Sequence, residues 1–422
     1  MGSYAIHLII LLLLVDNFCN ICSGRSDIES MKRTSLNTTG GEEEDTITYP
    51  VSIPASRVYK ALFQVQKQFN KTACGPPALP PSEKLTCDSK TAFTGKRLAK
   101  RRKVAHFFLF AFEVDVLDIM FHEEWDVVDV FFLVESIFAH KKGVSKPLIW
   151  ERLKTDPRFA WTLSKVVHIV LDHPRMVESL QLESNWGRES GATKAAMHAV
   201  FEWNQHAPPA ERLTDDDIFI SGNVDEVLSR ENLYKLSWCE WKTEVISGAL
   251  WMPLGALDRA FRTDWPADRS LPFTFAMPTL YRFGSTSEVS GRSFGLPKAY
   301  IMGGMHLTNY ALPVVNLLKD LTCTECDGSL LGSTVKISTS PDLMQARHYA
   351  MESVPGSNWA RRMVPVESLS KKEKEAVYVP WYLRCHPELF PAWYGELDPR
   401  NSILIHRPTK KRLRSRNGNT KV

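Results

Sequence analysis

The sequence predicts an α/β fold, a single domain built on one largely parallel sheet covered by helices, and three observations carry that reading. Short continuous apolar runs, VAHFFLFAF (104–112), VDVFFLVES (128–136), KVVHIVL (165–171) and DIFIS (217–221), have the length and composition of strands buried on both faces. A stretch from Trp186 to Trp203 places apolar residues at 192, 195, 196, 199, 200 and 203, the three-and-four spacing of one helix face. Runs and helical stretches alternate along the chain, as they do when helices cross over between parallel strands.

Taken in order, residues 1–24 read as a signal peptide or signal anchor. Tyr4 to Val15 is an apolar run of about a dozen residues, short of the roughly 20 that span a bilayer. Either form predicts entry into the secretory pathway, with membrane anchoring through residues 4–15 in the second case. Residues 25–103 read as a stem, rich in acids and prolines, with sequons at Asn37 and Asn70. The folded domain is expected over 104–398. Its elements are the strand 104–112, a helix over 115–125, the strand 128–136, PLIWERL (147–153), the strand 165–171, the long helix and the strand 217–221. Candidate strands follow at 243–251 and 271–283, then the Gly-rich YIMGGMHLTNY (300–310), a helical 340–352 and an aromatic 378–398. Residues 399–422 form a basic tail.

The formal charge of +4 is concentrated in RLAKRRK (97–103) and RPTKKRLRSR (407–416). Without those eleven basic residues, 41 basic face 48 acidic, so the body is mildly acidic. The runs read as solvated flanks, and no nucleic-acid partner is expected. Of eight cysteines, Cys19 and Cys22 fall in or beside the leader; the other six allow three disulfides in an oxidising lumen, with Cys74 and Cys87 a local pair. Cys323-x-x-Cys326 has no second CxxC to complete a zinc site.

In sheets of this kind ligands bind beyond the carboxyl ends of the strands, and there the chain is acidic: Glu113 and Asp115, Glu135 and Ser136, then Asn223, Asp225 and Glu226. One acid at a strand end is commonly a cap or turn former; three such ends together point to a site. Asn223-Val224-Asp225 has the alternation of the Asp-x-Asp device, whose oxygen ligands suit a hard divalent ion bridging a nucleotide diphosphate. His306, flanked by Gly303 and Gly304, is a further candidate ligand, and imidazole suits Mn better than Mg. Paired carboxylates also serve glycosidases, but Asp225 and Glu226, adjacent on an extended segment, are expected to point to opposite faces.

The runs FEVDVLDIMFHEEWDVVDVFFLVES, KPLIWERL, NWGRES, DDDIFISGNVDEV, GGMHLT and YVPWYLRCHPELFP, in that order over roughly residues 107–395, resemble glycosyltransferase family 17. The resemblance implies an inverting, GT-A-like enzyme that transfers N-acetylglucosamine from UDP-GlcNAc, uses Mn or Mg, and makes the β-1,4 bisecting linkage on the core β-mannose of a glycoprotein N-glycan. It implies a Golgi or secretory-pathway lumen, as a type II membrane or secreted protein. Asp225, Glu226 and His306 match its acidic and histidine motifs, with Asp225, His306 and Asn223 as metal ligands. Glu113, Asp115, Glu135, Ser136 and Asn223 match strand ends where the donor is read, and Arg188 and Glu189 the head of the long helix. Glu226, then Glu288, is expected as the catalytic base. Asn223 stands where the family has an acid, and Met305 where it has Trp. A catalytically weakened luminal glycan-binding protein on the same fold, and a secreted glycosidase, are the alternatives.

Overall fold

The computed structural model describes residues 60–62, 74–89, 91–140, 146–172, 175–176, 181–264, 266–286, 299–308, 311–312, 314–315, 318–319 and 362–401. The leader, both sequons, Glu288, the Cys323–Cys326 motif, the helix expected at 340–352 and the run 407–416 lie outside them.

Among the described residues, four strands form the parallel half of a ten-stranded sheet: β2 (Val104–Leu109), β3 (Val130–Ser136), β4 (Val166–Leu171) and β5 (Ile218–Asn223), in the order β5-β2-β3-β4. These are the four apolar runs. Both faces of the sheet are covered, which explains why the runs are continuous rather than alternating. On β3, Phe131 and Leu133 join one core with helix α1 (Val114–Glu124), while Phe132 and Val134 join another with helix α3 (Asn185–His206). Between β3 and β4 lies the short helix α2 (Trp150–Leu153). The long amphipathic helix begins at Ser184, whose hydroxyl accepts the Gly187 amide at 2.9 Å.

The other half of the sheet is mainly antiparallel. It comprises β6 (Glu226–Leu228), β8 (Val245–Trp251), β11 (Pro266–Asp268), β12 (Leu271–Phe275), β13 (Thr279–Arg282) and β14 (Tyr300–His306). The single strand expected at 271–283 is two strands, both running antiparallel to β8 and separated by a cis Met277–Pro278 peptide. Gly248 lets that break approach, since a Cβ there would stand 2.4 Å from the Met277 carbonyl oxygen. A small side sheet is made by β9 (Pro253–Leu254), β10 (Ala256–Phe261) and β15 (Met363–Pro365).

Part of the segment read as stem is built into this body. Strand β1 (Phe93–Arg97) pairs with β7 (Cys239–Trp241), which follows helix α4 (Arg230–Trp238). The local Cys74–Cys87 pair is corrected. Cys87 is bonded to Cys239, and Cys74 to Cys385 at the end of helix α5 (Trp381–Cys385). The pairings are long-range because the N-terminal segment runs along the body instead of looping back on itself. The first basic run is a solvated flank only in part: Arg97 and Lys100 are exposed, but Arg102 is buried and donates to the Cys239 carbonyl, while Lys103 donates to the carbonyls of Ala210 and Arg212. Glu123, fully buried on α1, accepts the amides of Arg230 and Trp381 and the Tyr378 hydroxyl, tying α1 to α4 and α5. Among the described residues no helix is long and apolar enough to cross a membrane.

Candidate active site

The site is built where β5 ends. Asn223 is the last residue of β5, Val224 and Asp225 make the turn, and Glu226 opens β6. Strand β14 runs antiparallel to β6 in a register that sets His306 opposite Glu226. Gly304, at a φ of 140°, makes the approach of β14 feasible: a Cβ there would lie 2.5 Å from both the Val227 carbonyl oxygen and Leu250.

One potential ligand atom each from Asp225, Glu226 and His306 lies within 4.8 Å of the others, and all three residues are buried. The expectation that Asp225 and Glu226 diverge holds for extended backbone, and Asp225 sits in a turn, so the two carboxylates converge. His306 Nε2 is 3.7 Å from Asp225 Oδ2, and the ring stacks on Phe275 at 5.0 Å between centroids. The Leu307 amide donates to the Asp225 carbonyl at 2.6 Å, fastening the turn to β14. Glu226 Oε2 accepts the Asn223 amide at 3.2 Å; Gly222 makes room for it, because a Cβ at 222 would stand 2.8 Å from that oxygen. Asn223 Oδ1 is buried with no hydrogen-bond partner among the described residues. Two carboxylates, an imidazole and a spare amide oxygen are a donor set that fits Mn, or Mg with fewer nitrogen ligands.

The early strand ends divide. Glu113 lies beside the cluster: its carboxylate accepts the Phe112 amide at 2.9 Å and stands 3.9 Å from Lys319 Nζ. Asp115 instead points into α1's packing, with Arg400 at 2.8 Å and Arg158 at 3.0 Å. Burial raises its carboxyl pKa, but Arg400 and Arg158 outweigh that and hold it below the usual carboxylate range. Arg400, placed in the tail by the sequence, is buried here. Glu135 is engaged by the Ile149 and Trp150 amides at 2.7 and 3.0 Å, at the start of α2, and by His168 at 3.0 Å. Ser136 accepts the Phe138 amide. Arg188 donates to the carbonyls of His140, Leu182 and Glu183, and Glu189 lies 3.8 Å from His140. Burial pushes the His140 imidazole down, against Glu189, with Lys146 and Arg188 adding to the fall. Met305 packs into the hydrophobic core, so the replacement for Trp lies inside the fold.

Two lysines at the site went unmarked in the sequence. Lys319 Nζ donates to Asp225 Oδ2 at 2.8 Å and to Thr308 Oγ1 at 2.9 Å. Lys146 Nζ is buried 3.7 Å from Glu135 and 5.6 Å from the Phe112 ring centre; burial lowers its pKa, opposed by Glu135 and Glu113. No local pattern distinguishes either from a surface lysine, because the partners lie beyond a helical or strand repeat, from 11 residues away for Thr308 to 94 for Asp225.

An acidic turn at a parallel strand end, closed by a histidine from a neighbouring strand, gathers a set of groups able to hold a divalent cation. Residues 82–255 match the model of glycosyltransferase family 17, a stretch that includes Asn223, Asp225 and Glu226 and begins within the segment read as stem. The chain is similar to the enzymes named β-1,4-mannosyl-glycoprotein 4-β-N-acetylglucosaminyltransferase from Rattus norvegicus, Homo sapiens and Mus musculus. Each is 28% identical over 176 residues, which is 39% of this chain and 31% of the relative. The match thus spans about a third of the length of those relatives. No solved structure matches the chain.

Proposed function

We propose that this chain is an inverting glycosyltransferase that moves N-acetylglucosamine from UDP-GlcNAc, in β-1,4 linkage, to the core β-mannose of a glycoprotein N-glycan in the secretory-pathway lumen. The observation that carries the reading is the convergence of Asp225, Glu226 and His306 at the end of β5, with both acids inside the family-matched stretch. The relatives' names support the sugar and the acceptor, and two long-range disulfides fit an oxidising compartment.

Asp225, His306 and Asn223 hold the cation in this reading, with Glu226 beside them. When bound, Mn or Mg supplies positive charge against the departing diphosphate. The acceptor hydroxyl oxygen bonds to the anomeric carbon from the face opposite the diphosphate; the bond from that carbon to the phosphate oxygen breaks, and the hydroxyl proton passes to a carboxylate. Complete burial of Glu226, and its hold on the Asn223 amide, support a positioning role for it. Glu288 then becomes the first carboxylate to test as base. Asp115, Glu135, Ser136, Arg188 and Glu189 have protein partners that support scaffolding roles.

The test is GlcNAc transfer from UDP-GlcNAc to a panel of N-glycan acceptors under controlled Mn. Asp225→Ala is expected to lower turnover by about 100-fold or more while leaving the fold intact. Near-normal turnover would sink the metal assignment. Asn223, in place of an acid, favours a second reading: a luminal glycan-binding protein with weakened catalysis, which binds UDP-GlcNAc without turning it over. Glycan cleavage needing neither nucleotide nor metal would point to a glycosidase.

A further inference from the structure

The most informative contact at the site is one that a cation ligand ought not to have. Lys319 Nζ lies 2.8 Å from Asp225 Oδ2, the same oxygen that stands 3.7 Å from His306 Nε2. The ammonium reaches Glu113 Oε1 at 3.9 Å on its other side and is steadied by the Thr308 hydroxyl at 2.9 Å. It therefore spans two acidic strand ends, β2's and β5's. Asp225 is almost fully enclosed, its side chain 6% exposed, whereas the Lys319 side chain is 21% exposed and has a route to solvent. A carboxylate so enclosed needs a positive neighbour.

We propose that Lys319 is the resident cation of this site, docked on Asp225 when no divalent ion is bound and displaced when one binds. A hard divalent ion on that carboxylate oxygen sits at about 2.1 Å, and an ammonium held on the same oxygen is then a like charge within a few ångströms. Docked lysine and bound ion exclude one another. The lysine's four-carbon stem is flexible and its charge is a compact point that water solvates well, so it can leave without disturbing the backbone. The exchange keeps Asp225 neutralised in both states and makes divalent-ion affinity a competition, set by Lys319 as much as by the ligands. The proposal rests on Asp225, Glu226 and His306 being the cation site.

The experiment uses the full-length folded protein without donor, and reads Mn binding from the loss of the free-Mn EPR signal together with the thermal midpoint in chelator and in Mn. Wild type, Lys319→Met and Lys319→Gln are compared, with Asp225→Asn as control. Glutamine keeps a donor for Asp225 and Thr308 without the charge, and guards against a methionine variant that folds poorly. Both lysine variants are expected to bind Mn at least about tenfold more tightly than wild type. They should melt lower in chelator and recover in Mn by a larger shift than wild type shows. Equal or weaker Mn binding by both variants, with Asp225→Asn still abolishing it, overturns the exchange and leaves the cation site standing. No Mn binding by any protein overturns both.

Discussion

Asp115→Asn separates two roles for an acid that the sequence places at a donor-binding strand end. The carboxylate is 3% exposed, with Arg400 on both its oxygens, at 3.0 and 2.8 Å, and Arg158 on one, at 3.0 Å. Leaving a buried charge with no partner costs about 3–5 kcal/mol. Here Arg158 keeps Asp118 at 2.6 Å and Arg400 keeps Asp398 at 2.6 Å. What disappears is a set of charged hydrogen bonds rather than all compensation, so the cost is about 2–3 kcal/mol. The pH dependence has a definite sign. The folded-state pKa of Asp115 is depressed below its ordinary 3.8, so its stabilisation is fully present above that ordinary value and is lost as pH falls through the depressed one. The variant should therefore lose stability at neutral pH and show a flatter decline in acid. Urea unfolding from pH 7 down to about pH 3 measures both, and UDP-GlcNAc titration of the folded variant is expected to match wild type. A variant within about 0.5 kcal/mol of wild type, yet with donor affinity lowered tenfold, would refute the structural role and restore Asp115 to the donor site.

Two further perturbations probe the site and the frame. Gly222→Ala puts a Cβ 2.8 Å from both Glu226 Oε2 and the Pro278 Cβ, so it should cost about 1–3 kcal/mol by overpacking and weaken Mn binding by displacing Glu226; unchanged melting and Mn affinity would refute the crowding. Non-reducing peptide mapping is expected to recover Cys74 with Cys385 and Cys87 with Cys239, and a Cys74–Cys87 peptide would contradict the fold. Replacing Cys87 and Cys239 together by Ser should lower stability by about 2–5 kcal/mol, as loss of a disulfide closing a long loop does, read by chemical denaturation.

Which parts of the molecule were legible follows from the range of the interactions behind them. β2, β3, β4 and β5 lie where their apolar runs do because burial of both faces writes itself into consecutive residues. The long helix was read to within a few residues for the same reason, its face recurring every third or fourth position. The run 271–283 is two strands because Pro278, which has no N–H to give a ladder, falls between Phe275 and Thr279, a break written in the sequence itself. Glu113 and Glu135 carry the same local signal, an acid at a strand end. One stands beside the Asp225–Glu226–His306 cluster and the other accepts two amides at the head of α2, a difference made by residues 149 and 150.

The sequence by itself determined the parallel strands, the helices that cover them and the acidic turn closing β5, since each is set by neighbours within a few positions. Tertiary structure alone decided that β14 brings His306 opposite Glu226, that Lys319 lies on Asp225, and that Arg400 claims Asp115. Those partners are tens to hundreds of residues apart. Their meeting is set by strand register and chain closure, which no local pattern of side chains encodes.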